Sequence, residues 1–211
     1  MKALDEKMTT KIIKIIVVGS PNSGKTSIIR RIKQGFFSDN FKSTIGTDFV
    51  TKEYKINDTL TVSLQLWDIA NCMLRNGLTR VYVRGSSGAF VVFNAADPDS
   101  VHIANQWKSE IDRKVFTSTG APIPCILLGN KSDLCAPEIG EDTIKTAFRD
   151  MGYIGFYETS DRKGDSLDIA VHDLIFYILR NGIEPSDHSE PSDHSEPIDL
   201  DTPTTKNCTI Y

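Results

Sequence analysis

Cysteine is scarce in this chain of 211 residues: the four present, Cys72, Cys125, Cys135 and Cys208, show no paired spacing. That argues against a disulfide framework or a zinc site of Cys pairs, and fits a reducing, cytosolic compartment. No apolar run approaches the roughly 18 residues a membrane-spanning helix needs. The opening MKALDEKMTTK carries charges where a secretory leader would need an apolar centre, so no leader is expected. A basic excess is missing too. The formal net charge is −4, and residues 184–211 hold seven Asp/Glu against one Lys, which leaves the rest at about +2. No nucleic-acid-binding face is expected.

What is present begins with Gly19-Ser20-Pro21-Asn22-Ser23-Gly24-Lys25-Thr26, an instance of G-x-x-x-x-G-K-[ST]. It follows an apolar run over 11–18 and opens a helix-like segment over 25–33, the context such a loop requires. The loop must curl so that successive backbone N–H groups, those of Ser20, Asn22, Ser23 and Gly24, point inward at phosphate oxygens, and the helix that follows adds its positive dipole end. Gly19 and Gly24 permit the turn. Lys25 can place its ammonium on the outer phosphates, Thr26 offers a hydroxyl to Mg²⁺, and the Ser27 N–H could reach the inner phosphate.

Strand-like and helix-like segments alternate beyond this loop. Residues 36–46 show little regular pattern. Residues 47–56 and 60–67 both alternate apolar and polar around Asn57-Asp58, which predicts an antiparallel hairpin. The runs GAFVVFN (88–94) and PCILLGN (124–130) read as strands buried on both faces. Helices are predicted over 100–116, 141–151 and 166–180, the last stopped by Asn181-Gly182, with a strand near 154–158. The fold class is therefore α/β, a phosphate-loop domain with a six-stranded, mostly parallel sheet covered by helices on both faces. Phe90, Phe93, Trp107 and Phe148 read as core. The expected organisation is an N-terminal extension (1–10), one domain (11–182) and a tail (183–211). The tail repeats Glu-Pro-Ser-Asp-His-Ser from 184 and again from 190, too acidic and proline-rich to bury a core. His188 and His194 could suggest a metal, but a duplicated solvated linker is the simpler reading.

A phosphate loop does not choose a base; Asn130-Lys131-Ser132-Asp133 does. It follows a buried strand, at the carboxyl edge of the sheet where ligands bind. The Asp133 carboxylate can accept hydrogen bonds from guanine N1–H and the exocyclic amine, a donor pair that adenine lacks. Lys131 can lie along the ring face and Asn130 can tie the loops together. Thr44 stands where a second Mg²⁺-ligating hydroxyl would be wanted. Asp68, at the end of a strand, suits holding Mg²⁺ through water.

With these motifs the chain resembles the small GTPases, and specifically the Rab family of membrane-traffic switches, over residues 11–181. TIGTDF, LQLWDIA and TRVYVR carry the Rab likeness. TRVY, GAFVVF, WKSEIDRKV, PIPCILLGNKSDL and FYETS look most like the subgroup serving lysosome-related organelles. The resemblance implies GTP/GDP and Mg²⁺ as ligands and GTP hydrolysis as the reaction. It implies effector proteins, an exchange factor, an activating protein and a Rab-type extraction factor as partners of a monomer on the cytosolic face of intracellular membranes. By position, Phe37 should stack on the guanine edge. Ser160-Asp161-Arg162 matches the third base-contacting loop, with the Asp161 N–H toward guanine O6 and the Arg162 stem over the ring. Phe49, Trp67 and Tyr82 fall on the aromatic triad that Rabs present to effectors; ordinary hairpin core is the competing reading.

The chain also departs from the family. Where Gly-Gln-Glu-Arg-Phe is usual it has Asn71-Cys72-Met73-Leu74-Arg75. The missing Gln orients the attacking water, which the weak donor and acceptor of Cys72 cannot do. Asn71 keeps the γ-phosphate-sensing N–H but not glycine's freedom. Hydrolysis is expected to be slow, and a GTP-locked binding scaffold is the alternative. Pro21 removes one N–H and stiffens the loop. A phosphate-loop ATPase or kinase is disfavoured by Asp133. The ending Cys208-Thr209-Ile210-Tyr211 has the C-a-a-X form with an atypical last residue, and single prenylation of Cys208 is expected. One prenyl chain anchors only marginally, and the acidic tail adds nothing toward anionic lipid.

Overall fold

The computed structural model describes residues 8–34, 47–70, 79–97, 99–134, 148–160 and 165–186. Six strands form one sheet: β1 (Thr9–Gly19), β2 (Thr47–Lys55), β3 (Leu60–Ile69), β4 (Gly88–Asn94), β5 (Cys125–Asn130) and β6 (Gly155–Glu158). Their order is β2-β3-β1-β4-β5-β6. β2 runs antiparallel to β3 and all other pairings are parallel. Among the described residues, the helices with both ends placed are α1 (Lys25–Gln34), the short α2 (Thr79–Val83), α3 (Asp99–Lys114) and α4 (Asp165–Arg180). The α/β class read from the alternation of segments is the one found.

Strand period and burial together explain the two layers. Successive strand side chains point to opposite faces, so in β1 Ile13, Ile15 and Val17 enter one core while Ile16 and Val18 enter the other. β4 divides likewise, with Phe90 and Val92 against Val91 and Phe93, and β5 divides Ile126 and Leu128 against Leu127. The first core is closed by Ile28, Ile29 and Ile32 of α1 and by Leu167, Val171, Leu174 and Ile178 of α4. The second is closed by Val101, Ala104, Trp107 and Ile111 of α3. A fully buried Leu, Ile or Phe contributes about 1.5–3 kcal/mol by leaving water. These central strands, apolar on both faces, therefore hold the scaffold under the loops. Phe90, Phe93 and Trp107 are core, and Phe148 is half-buried against the second layer. Cys125 is a buried thiol that burial pushes up to about 12, so it is inert structure.

The hairpin turn is made by Asn57, whose Oδ1 accepts the N–H groups of Thr59 and Leu60 at 2.9 and 2.8 Å. β1 starts two residues before the predicted strand because the Thr9 N–H bonds the Thr59 carbonyl at 2.8 Å. α4 ends as its Asn181-Gly182 sequence indicates. Gly182 takes φ 58°, its N–H bonds Leu179 O, and the Ile183 N–H bonds Ile178 O. Of the helix predicted over 141–151, residues 148–150 are helical and Met151 lies in a turn; 141–147 lie outside the described residues.

Residues 183–186, assigned by composition to the tail, pack on the domain. Ser118 N–H bonds Glu184 O at 2.8 Å, Ser186 N–H bonds Phe116 O at 3.1 Å, and Lys11 Nζ pairs with Glu184 Oε1 at 2.5 Å. Among the described residues no helix is long and apolar enough to cross a membrane.

Candidate nucleotide site

Parallel pairing puts the carboxyl ends of β1, β3, β4, β5 and β6 on one edge of the sheet. From β1 the chain goes to one side to form β3 and then crosses to the other to form β4. The crevice of such a sheet opens where the order reverses, beside β1. Gly19 ends that strand, and the phosphate loop starts there.

The loop passes so close to β4 that only glycine fits. Gly19 has φ 136°, and a Cβ on it would lie 1.9 Å from Val92 O. The Ser20 N–H takes that same carbonyl at 3.1 Å. Asn22 adopts φ 54°, a left-handed conformation that asparagine tolerates, and Gly24 adopts φ 91°. Ser23, fully buried, closes the curl with Oγ on Ser20 O at 2.9 Å. The Ser20 hydroxyl is buried with no partner among the described residues. α1 opens at Lys25, so its first N–H groups have no intrahelical acceptor and face the loop. Ser27 sits half-buried in that first turn.

Lys25 is buried and spans the curl, Nζ donating to Ser20 O at 2.8 Å and to Gly19 O at 3.3 Å. Burial pushes its pKa down to about 8, with the nearby Asp68 carboxylate acting against the shift. Thr26 Oγ1 donates to Asp68 Oδ2, which joins the start of α1 to the end of β3. Asp68 is itself buried. A hydroxyl and a carboxylate meeting beside a lysine form an oxygen pair of the kind Mg²⁺ takes together with phosphate oxygens. The residues fit the metal and the phosphates.

Base selection would occur two loops away. Asn130, 0 % exposed at the end of β5, donates from Nδ2 to Ser23 O at 2.8 Å, and its Oδ1 accepts Thr159 Oγ1 at 3.3 Å. Thr159 also fixes both sides of its own loop: its N–H bonds Gly129 O at 2.8 Å and its carbonyl accepts the Ser132 N–H at 3.2 Å. Lys131 takes φ 63°, turning the chain into the single 3₁₀ turn Ser132–Leu134 that carries Asp133. Ser160, buried, donates from Oγ to Asp133 Oδ1 at 2.8 Å. The structure therefore brings Ser23, Lys25, Thr26, Asp68, Asn130, Lys131, Asp133 and Ser160 to one edge. Sequence reasoning did not find the bracing by Thr159, nor Ser160 as the partner of Asp133. A lone hydroxyl in a loop leaves no pattern to read.

Phe37, Thr44, Asn71, Cys72, Asp161, Arg162 and Cys208 lie outside the described residues. Of the aromatic triad, Phe49 is 53 % exposed and stacks on Trp67, with ring centroids 5.0 Å apart and planes 16° from parallel. Trp67 and Tyr82 are half-buried against the edge of the second core. The pair is thus a partly open surface, not the closed interior of a hairpin.

A phosphate loop hydrogen-bonded to the Asn130–Asp133 loop, on a sheet of this topology, fits the class of guanine-nucleotide-binding switches built on an α/β phosphate-loop domain. The Ras family model matches residues 14–180. Ras-related protein Rab-7L1 of Rattus norvegicus is 35 % identical over 173 residues, covering 82 % of this chain and 85 % of its own. Rab-32A of Dictyostelium discoideum is 38 % identical over 187 residues, 85 % of this chain and 83 % of its own. Rab-32 of Mus musculus is 36 % identical over 171 residues, 81 % and 77 % respectively. The chain belongs to the Ras family and, within it, to the Rab small GTPases related to Rab-32 and Rab-7L1. As a Rab it is a GTP-binding switch of membrane traffic. It binds GTP and GDP with Mg²⁺ and hydrolyses GTP to GDP and phosphate, as a member of a family whose proteins act in general with effectors, exchange factors and activating proteins on intracellular membranes.

Proposed function

We propose that this Rab binds guanine nucleotide by the family's usual means but hydrolyses GTP unusually slowly, so that its GTP-bound form is long-lived. One observation carries the reading. The binding set is intact, with Lys25, Thr26 and Asp68 joined at the phosphate end and Asn130, Asp133 and Ser160 at the base end. The water-orienting glutamine, by contrast, is replaced by Cys72. In this account the Asn22–Ser27 backbone and the Lys25 ammonium hold the phosphates and offset charge as the terminal phosphoryl leaves, while the Ser20 N–H, expected to face the phosphates, is instead taken by Val92 O. Thr26, Thr44 and Asp68 would hold the Mg²⁺, which would supply positive charge against the phosphates. Asp133 selects guanine, with Phe37, Lys131, Asp161 and Arg162 around the ring. Asn71 retains an N–H for the terminal phosphate, and nothing at 72 orients the water.

The test is single-turnover hydrolysis of bound GTP by the wild type and by the double variant N71G/C72Q. Intrinsic rates in this class are on the order of 10⁻⁴ per second. The wild type is expected below that and the double variant well above its parent. Equal rates would overturn the reading. GTP that persists unchanged in the wild type over many hours would favour the GTP-locked scaffold, the second reading that Asn71-Cys72 supports.

The finer assignments belong to the same proposal. Phe49, Trp67 and Tyr82 form the effector surface, supported by the exposure of Phe49 and the stack beneath it. The protein acts as a monomer with a Rab-type extraction factor, and Cys208 carries one prenyl group. The resemblance of TRVY, GAFVVF, WKSEIDRKV, PIPCILLGNKSDL and FYETS to the subgroup serving lysosome-related organelles supports service there. Residues 183–186 belong with the domain and the tail follows them. Metabolic prenyl labelling that is lost in C208S is the check on the anchor.

A further inference from the structure

The Trp67 indole N–H is buried and finds no acceptor among the described residues. No hydrogen bond among the described residues orients this ring, so its faces must. Phe49 stacks on it, and the ammonium of Lys14 lies over it, 4.2 Å from the ring centroid. Lys14 is on β1, the strand next to β3, where Ile16 is in register with Trp67. By parity Lys14 shares the sheet face of Ile16 and Val18, in a strand that is otherwise apolar from Ile15 onward. Its Nζ also donates to Arg84 O at 2.7 Å, one residue beyond α2. Burial pushes the Lys14 pKa down, so the position tolerates a cation at a cost. The carbonyl and the aromatic face are what offset it.

We infer that Lys14 is the positioning residue of the Phe49–Trp67 pair: its ammonium, anchored on the Arg84 carbonyl, sets the pose of the indole and ties it to the end of α2. α2 carries Tyr82, so one cation links all three aromatics to a common frame. A substitution at 14 then changes the shape of the surface without touching any group that holds nucleotide. The consequence for partner binding rests on the effector-surface reading above; the pose of the ring does not.

The experiment is NMR of the full chain loaded with a slowly hydrolysed GTP analogue, comparing wild type, K14M and K14R. Met keeps an unbranched stem and removes the charge, whereas Arg keeps the charge. The chain has two tryptophans, and the buried Trp107 serves as internal reference. A half-desolvated cation on an indole face biases the ring's pose by roughly ten-fold. In K14M the Phe49–Trp67 ring contacts should weaken and the Trp67 indole signal should broaden or divide, while Trp107 stays fixed and the analogue stays bound. K14R should restore the wild-type contacts. Full Phe49–Trp67 contacts with a single sharp Trp67 signal in K14M would overturn the inference, whatever happens to the melting temperature. The effector reading has its own readout, GTP-dependent partners retained by wild type and lost by F49A. If F49A loses none, that reading falls while the NMR result still decides the role of Lys14. If F49A loses them and K14M leaves the ring contacts intact, the role of Lys14 falls alone.

Discussion

Asn130 and Ser23, 107 residues apart in the chain, are joined by a 2.8 Å hydrogen bond from the Asn130 side-chain amide to the Ser23 carbonyl. Through it the base loop and the phosphate loop become one rigid site. Replacing Asn130 by Ala leaves the buried Ser23 carbonyl and the Thr159 hydroxyl without this partner, at a cost of about 1–3 kcal/mol. The expected outcome is GDP dissociating about ten-fold or more faster from N130A, followed by release of a fluorescent GDP analogue.

Gly19, the last residue of β1, is in register with Val92 of β4. In G19A the new Cβ would meet Val92 O at 1.9 Å and the residue would have to hold φ 136°. Strain of that kind, plus the displaced backbone, should cost about 3 kcal/mol or more. Thermal unfolding should show a lowered midpoint, and nucleotide should fail to co-purify. A midpoint equal to the wild type would contradict the close approach of the two strands.

Lys25 makes binding pH-dependent in a definite direction. Its pKa is about 8 in the folded chain against 10.5 ordinarily. Between those values the unfolded chain holds a proton that the folded, nucleotide-stripped protein has lost, so this group's contribution to stability rises with pH across the window. Phosphate charge acts oppositely and restores the proton. GDP affinity should therefore fall as pH rises above about 8, approaching ten-fold per unit. Calorimetry at pH 9 in two buffers of different ionisation enthalpy should report uptake of about one proton per GDP, and close to none at pH 7.

Ser160 holds the carboxylate of Asp133 through a 2.8 Å hydrogen bond. S160A removes that hydrogen bond from the carboxylate and should weaken guanine nucleotide by about 1 kcal/mol, roughly five-fold. The effect should be visible in equilibrium titration, with little change in thermal stability after nucleotide removal.

Much of the scaffold was legible in the residues because strands buried on both faces leave a strong mark. GAFVVFN and PCILLGN have no other economical reading, and both are central strands. α1 and α4 were visible from apolar spacing and, for α4, from Asn181-Gly182. The phosphate and base loops were legible for a chemical reason, since each position calls for one residue type. Other features depend on partners distant in the chain. β1 begins at Thr9 because Thr59 offers a carbonyl, and residues 183–186 are held by the loop at 116–118 and by Lys11. α2 spans five residues, too few for periodicity to show. The link from Lys14 to Trp67 and Arg84 required three elements to be placed first.

The most direct test of the central claim, a guanine-selective site made by bonding the Asn130–Asp133 loop to the phosphate loop, is competition binding of GTP and ATP to the full chain with Mg²⁺. A site built on hydrogen bonds to a ring discriminates against the analogue lacking those donors by on the order of 10⁴-fold. A preference of that size for GTP is the expected result; comparable affinities for the two nucleotides would contradict the account.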